Sequence, residues 1–294
     1  MTLLTITLAG CFRQPLTIAS RVEKGANFSD RPDTYVGQIL TKGNHLAIEQ
    51  MTPAWREKRK IIAHNFSPKQ LDEKHYKVQE AEATVLMTDF LDDPAAFYSH
   101  IQRYTASVAT TLVYGQRAPT ADSFWGRGVY DVMGKWTAAM EPGANPPVDE
   151  FPFLQWIPAS MAFWKRRAYD ARATMAETWT KALDIVEKRR ATGERRNCVV
   201  DAQLDEYAEK GSMPMSQHAF TNLVGEMVEG GADTTSAQLL TLILAFGLNP
   251  WVQARAREEI DAVCGPDRAP TWSDFSRMPY INCIIKEGMR WRPV

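Results

Sequence analysis

The residues best placed to do chemistry fall within one stretch, Gly225-Glu-Met-Val-Glu-Gly-Gly-Ala-Asp-Thr-Thr-Ser236. Read on a helix, Met227, Gly230, Gly231, Thr234 and Gln238 recur at i, i+3, i+4, i+7 and i+11, so they share a face. Two positions without side chains there let a flat, bulky ligand approach the backbone. The Thr234 hydroxyl can turn back to the Gly230 carbonyl, a bond that bends helices and loosens their ladder. A local distortion at these residues is therefore expected. Glu226, Glu229 and Asp233 form a second stripe. Three carboxylates on a half-buried face should repel one another and carry raised pKa values. The same spacing also suits a kinked core helix whose glycines only allow close packing.

A long element has to hold these residues. Phe220, Leu223, Val224, Met227 and Val228 precede them, and Leu239 through Phe246 is almost unbroken apolar sequence after them. The pattern predicts one helix over 216–249, opening at Ser216 after Pro214 and closing at Asn249-Pro250. About 34 residues at ~1.5 Å each span ~50 Å, the width of a domain. Two glycines, an aspartate and two threonines each cost up to ~1 kcal/mol against alanine in its middle. A local conflict inside an otherwise consistent element is where a site is expected.

Further helical patterns run from Thr52-Pro53 toward Phe66, from Gln70 to Leu91, from Phe97 to Tyr114, from Ser123 to Met140 and from Phe163 to Arg190. Asn249 to Gly265 has an Asn cap, a first-turn proline and a glycine stop. The chain is thus mainly α. Its 294 residues, 45% hydrophobic, suffice for one large core. With 34 basic against 35 acidic side chains, nothing points to a nucleic-acid partner. Cys11, Cys198, Cys264 and Cys283 show no metal-ligand spacing and read as reduced thiols. Met1 to Cys11, with Thr and Ile alternating, reads as a strand, and no stretch approaches the ~18 apolar residues of a membrane span.

Two more pairs could do chemistry. Trp55 and Arg59, four apart on one helix face, can converge an indole N–H and a guanidinium on one anion. That spacing equally suits a core Trp beside a solvated Arg. Glu287 and Arg290, three apart in the helix predicted over 279–291, can pair on one face, as ordinary surface pairs do. Between Glu141 and Pro158 five prolines forbid regular structure, while Phe151, Phe153, Leu154, Trp156 and Ile157 supply apolar surface for a lid, a lipid-facing patch or a satellite cluster. The basic run from Lys188 to Arg196 reads as a solvated helix terminus.

Gly230-Gly231-Ala232-Asp233-Thr234-Thr235 resembles the small-Gly-x-acid-Thr-Thr signature of the cytochrome P-450 haem-thiolate monooxygenases. The other marks follow in that family's order. They are Ser29-Asp-Arg-Pro32 after a short helix near Ala19–Gly25, Trp55-x-x-x-Arg59, and Glu287-x-x-Arg290 followed by Arg292-Pro293. Gly288 and Met289 replace the usual Thr and Leu. The resemblance covers Arg21 to Val294 and implies a single, incomplete cytochrome P-450 domain over 1–294.

By that resemblance, Asp233 and Thr234 serve proton delivery during oxygen activation. Gly230 and Gly231 give room to a haem, and Trp55 and Arg59 hold its propionates. Glu287 and Arg290 form a buried structural pair. Arg56, Lys58 and Lys60 lie on the surface that meets the reductase. The implied activity is hydroxylation of an apolar small molecule with O2 and electrons from NADPH through a reductase. The intact enzyme would sit on the cytosolic face of the endoplasmic reticulum membrane. None of the four cysteines has the family's Phe-x-x-Gly-x-x-x-Cys-x-Gly context, so no metal ligand is present. The chain is accordingly expected to be a fungal-type fragment, lacking the Cys-ligand loop, most of the small β-domain and the anchor, and inactive as written. The alternative is a non-catalytic helical remnant that binds apolar ligands.

Overall fold

The computed structural model describes residues 30–294. The strand expected over Met1–Cys11 and the short helix near Ala19–Gly25 lie outside them. Ten helices order the described chain: α1 (Tyr35–Thr41), α2 (Pro53–Asn65), α3 (Tyr76–Asp92), α4 (Phe97–Tyr114), α5 (Phe124–Met140), α6 (Phe163–Ala191), α7 (Val199–Lys210), α8 (Gln217–Leu248), α9 (Pro250–Cys264) and α10 (Pro279–Trp291). Among the described residues there is no strand, and no single helix is long and apolar enough to cross a membrane.

Local chemistry explains most starts and stops. The hydroxyls of Thr52, Ser123 and Ser216 accept from the backbone N–H of Trp55, Gly126 and Ala219, so α2, α5 and α8 each open on a satisfied donor. Gly115 closes α4 in the left-handed conformation that only glycine adopts without cost. The π turn Leu71–His75, entered from a short turn over Pro68–Gln70, makes α3 begin later than the apolar pattern indicates.

The amino-terminal half of α8 is the axis of the core. Ala219 through Glu229 is buried without a gap, against α4, α5 and α6. Beyond Ser236 the helix is half-covered and meets α9 and α10, and the chain turns by 108° between α8 and α9. Asn249 does not cap α9 through its side chain, because its carboxamide donates back to the Ala245 carbonyl of α8.

Two elements carried no clear sequence signal, the short α1 and α7. Their placement corrects the reading of the basic run as a solvated terminus at Arg189 and Arg190, while Lys188, Arg195 and Arg196 stay exposed as expected. Arg189 is buried and gives hydrogen bonds to Asp201 of α7 and to the Tyr114 carbonyl of α4. Arg190 holds the other oxygen of Asp201 at 3.0 Å, and Arg196 reaches the Gly115 carbonyl. Three helices are clasped by charges whose partners stand 11 or more residues away, out of reach of local pattern.

Candidate functional site

One face of α8, from Glu226 to Thr234, and one face of α2 share a cavity of about 340 Å3. Gly230 and Thr234 form part of its wall, Trp55 and Arg59 another, and Met133 and Trp136 of α5 a third. The segment between α1 and α2 closes it with His45, Leu46 and Ala47. A Cβ built on Gly230 would meet nothing within 4 Å, so the backbone of α8 faces open space there.

Trp55 and Arg59 lie side by side on their wall of the cavity, with Trp55 half-buried and Arg59 exposed. The guanidinium lies 5.5 Å from the centre of the indole ring and makes no ion pair among the described residues. The indole N–H donates to the Leu46 carbonyl at 3.3 Å, a long bond that leaves the proton available for sharing. A cation without a carboxylate, beside a weakly engaged donor, is a suitable arrangement for an anion.

The wall carries more charge than its motif residues reveal. Glu229 accepts from the Trp179 indole at 2.6 Å and meets His45 Nε2 at 2.9 Å. His45 stacks on Trp136 with ring centres 4.2 Å apart. Burial disfavours its imidazolium, yet Glu226 and Glu229 together push its pKa up. Glu226 accepts the Leu46 N–H at 2.8 Å, and burial raises its pKa to about 7. Its proximity to Glu229 adds less, so desolvation is the larger reason this stripe departs from ordinary carboxylates. Burial likewise raises Asp233. Nothing in the sequence marked His45, 184 residues away from Glu229. A lone histidine in a loop gives no periodic signal.

Several expectations are corrected. The face expected to hold Met227, Gly230, Gly231 and Thr234 together is split, because adjacent helical positions diverge by ~100°. Gly231 sits toward Ala109 of α4, 3.5 Å from its Cβ position, and shares a different cavity with Met227 and Thr235. Asp233 does not line the wall that holds Thr234, and its charge acts on the Tyr130 phenol of α5.

The Thr234 hydroxyl does donate to the Gly230 carbonyl, at 2.8 Å. The helix nevertheless runs unbroken from Gln217 to Leu248. A carbonyl has two lone pairs, so Gly230 can take the hydroxyl without giving up the helix. Glu287 and Arg290 pair through two hydrogen bonds of 2.7 and 2.6 Å, but both are exposed rather than buried. Lys58 is not on the outer surface of α2: it is 2% exposed and bound to Glu49 at 2.5 Å. None of Cys198, Cys264 and Cys283 lines the cavity.

The family model for Cytochrome P450 matches residues 18–294. The chain belongs to the cytochrome P450 family. Among similar sequences, this P450 is 41% identical over 273 residues to cytochrome P450 monooxygenase atE of Aspergillus terreus, covering 92% of this chain and 50% of the relative. It is 40% identical over 277 residues to patI of Aspergillus clavatus, covering 94% of this chain and 52% of the relative. The chain thus spans about half the length of the curated relatives it matches. A zebrafish cytochrome P450 solved with abiraterone superposes with a TM-score of 0.72 at 21% identity, covering 95% of this chain and 62% of that one. That likeness confirms the mainly α fold of a P450 fragment.

Proposed function

We propose that this chain supplies the oxygen-side wall and the propionate anchor of a haem-dependent monooxygenase that hydroxylates an apolar small molecule. The observation that carries this reading is the single cavity joining Trp55, Arg59, Gly230 and Thr234. These residues fit a haem: the guanidinium lacks a partner among the described residues, and the space above Gly230 is open. When bound, the haem would supply the oxygen-activating chemistry. Arg59 and the Trp55 N–H would hold its carboxylates. Gly230 leaves room for a planar group, and the Thr234 hydroxyl, anchored on the Gly230 carbonyl, keeps lone pairs to accept a proton. Asp233, its carboxyl favoured toward the neutral form by burial, is the nearest acid in sequence to pass one on.

The family's iron needs a thiolate to drive O–O cleavage. Cys198 is buried with its pKa raised to about 11, and neither it nor Cys264 nor Cys283 reaches the cavity wall. Residues 1–294 expressed alone with haem are therefore expected to take up haem through Trp55 and Arg59 without the red-shifted Soret band of a reduced, CO-bound thiolate haem. Appearance of that band would show that a cysteine of this chain reaches the iron. That no thiol among the described residues lies at the wall favours a second reading, an apolar-ligand-binding protein without turnover. In an enzyme extended to the length of its relatives, Thr234→Ala should release reducing equivalents as peroxide. Tight coupling in that variant would remove Thr234 from proton transfer.

Electron supply from NADPH through a reductase is part of the same proposal, supported by exposed Arg56 and Lys60 on the outside of α2. So is a position on the cytosolic face of the endoplasmic reticulum membrane. Exposed Phe151, Phe153 and Trp156 in the connection before α6 support it.

A further inference from the structure

A second cavity, of about 380 Å3, opens where the carboxyl end of α8 meets α9 and α10. Leu242, Ala245 and Phe246 of α8, Val252 of α9 and Ile284 of α10 make its walls apolar. Close helix contact fixes its floor. Gly288 of α10 has no side chain, and a Cβ there would stand 2.6 Å from Leu242 Cδ2 of α8. Glu259 of α9 accepts the backbone N–H groups of Tyr280 and Ile281 at 2.9 Å each, which ties α9 to the start of α10. The groove is formed before anything fills it, so filling it orders few further groups.

The rim selects the kind of occupant. Trp251 on one flank is 66% exposed, and Trp291 on the other is exposed as well. Leu248, one turn beyond Ala245, extends the open apolar surface. A small molecule is held by walls over most of its surface, which a groove flanked by open indoles does not provide. Lipid surfaces favour faces rich in Lys and Arg, whereas Glu287 lines the groove here. Trp, Tyr, Phe and Arg around an apolar floor is the composition of a protein interface. The charges point to the partner. Glu287 and Arg290 lie side by side on the exposed face of α10. Across a twofold axis through that face, antiparallel copies set each Glu287 against the other copy's Arg290, and no like charges meet. One face thus carries both the groove and the protruding indole that can enter it.

We propose that this groove is a self-association surface: two copies of the chain dock around a twofold axis, each inserting Trp251 into the other's groove and pairing Glu287 with the other's Arg290. The contact needs neither haem nor turnover, so it stands apart from the monooxygenase reading.

Sedimentation equilibrium of the 294-residue chain over ~1–100 µM reads the dissociation constant. A single transition from 33.2 kDa to twice that mass is expected. Glu287→Arg sets like charges across the axis and should weaken the dimer by at least ~tenfold, and Arg290→Glu should do the same. Both changes together restore opposite signs and should recover the wild-type affinity within about threefold, a rescue that a merely structural loss does not allow. Trp251→Ala should weaken the dimer by ~tenfold, whereas Trp156→Ala, an equally open indole before α6, should leave it unchanged. Melting temperatures of the dilute samples check that each variant folds. A chain still monomeric at the highest concentration overturns the proposal. So does a mass that climbs past the dimer, or an equal response to Trp156→Ala and Trp251→Ala, because association is then unspecific. A charge reversal without effect, or a double swap that fails to recover, refutes the twofold pairing. A monomer that co-sediments with phosphatidylcholine–phosphatidylserine vesicles also overturns the proposal and assigns the face to a lipid surface.

Discussion

Two glycines on one helix make opposite demands. At Gly230 an added methyl group meets no atom within 4 Å, so Gly230→Ala should stabilise the chain by ~0.5–1 kcal/mol through helix propensity while narrowing the cavity. At Gly225 the same methyl would run into the ring of Trp179, which is 2% exposed and cannot yield. Gly225→Ala should destabilise by ~1–3 kcal/mol, and paired thermal melts check both signs. The carboxyl of Glu226 adds a pH effect. Its folded pKa of about 7 lies above its ordinary 4.5, so the folded chain holds that proton longer than the unfolded one. Stability is full below the ordinary value and falls as pH rises through about 7, by up to ~3 kcal/mol. His45 acts in the same direction: its raised pKa favours the folded imidazolium, and that gain is lost as pH rises through the folded value. Melting temperature should therefore drop between pH 5 and pH 8, and drop less in Glu226→Gln. A flat profile in the wild-type chain would refute the burial of this cluster.

At the scale of elements, the clasp between α6 and α7 makes a separate prediction. Burial pushes the Asp201 pKa up, but the Arg196 N–H and the Arg190 and Arg189 guanidiniums outweigh it and hold the carboxyl below its ordinary value. Asp201→Ala leaves a buried Arg189 without its partner and should cost ~3–5 kcal/mol in urea unfolding. The sign with pH is the reverse of that for Glu226. The contribution of Asp201 is present above pH ~4 and lost as pH falls through the depressed folded value. Faster amide exchange in α7 than in α4 would locate the loss. Most helices were legible from apolar period and caps, as Ser123 and Ser216 show. The late start of α3 was not, because the π turn at Leu71–His75 has no periodic signature of its own.

At the scale of the molecule, the cavity exists only because α2, α5, α8 and the segment before α2 meet. Arg59→Ala should weaken haem retention by about tenfold, the effect of one charge-assisted bond, with little change in melting temperature because the guanidinium is exposed. Unchanged haem uptake in that variant would detach Arg59 from the anchor. The sequence by itself determined the helical class, the family and the span of α8, and it set Trp55 and Arg59 on one helix face. Each of these rests on short motifs, caps and apolar period, where local spacing acts. Only the tertiary structure decided that Gly231 leaves the cavity and Lys58 is buried. It also decided that Glu287 and Arg290 lie exposed and that His45 reaches Glu229 across 184 residues. Those outcomes depend on which elements pack together and on the desolvation that follows, and neither quantity is written in local spacing.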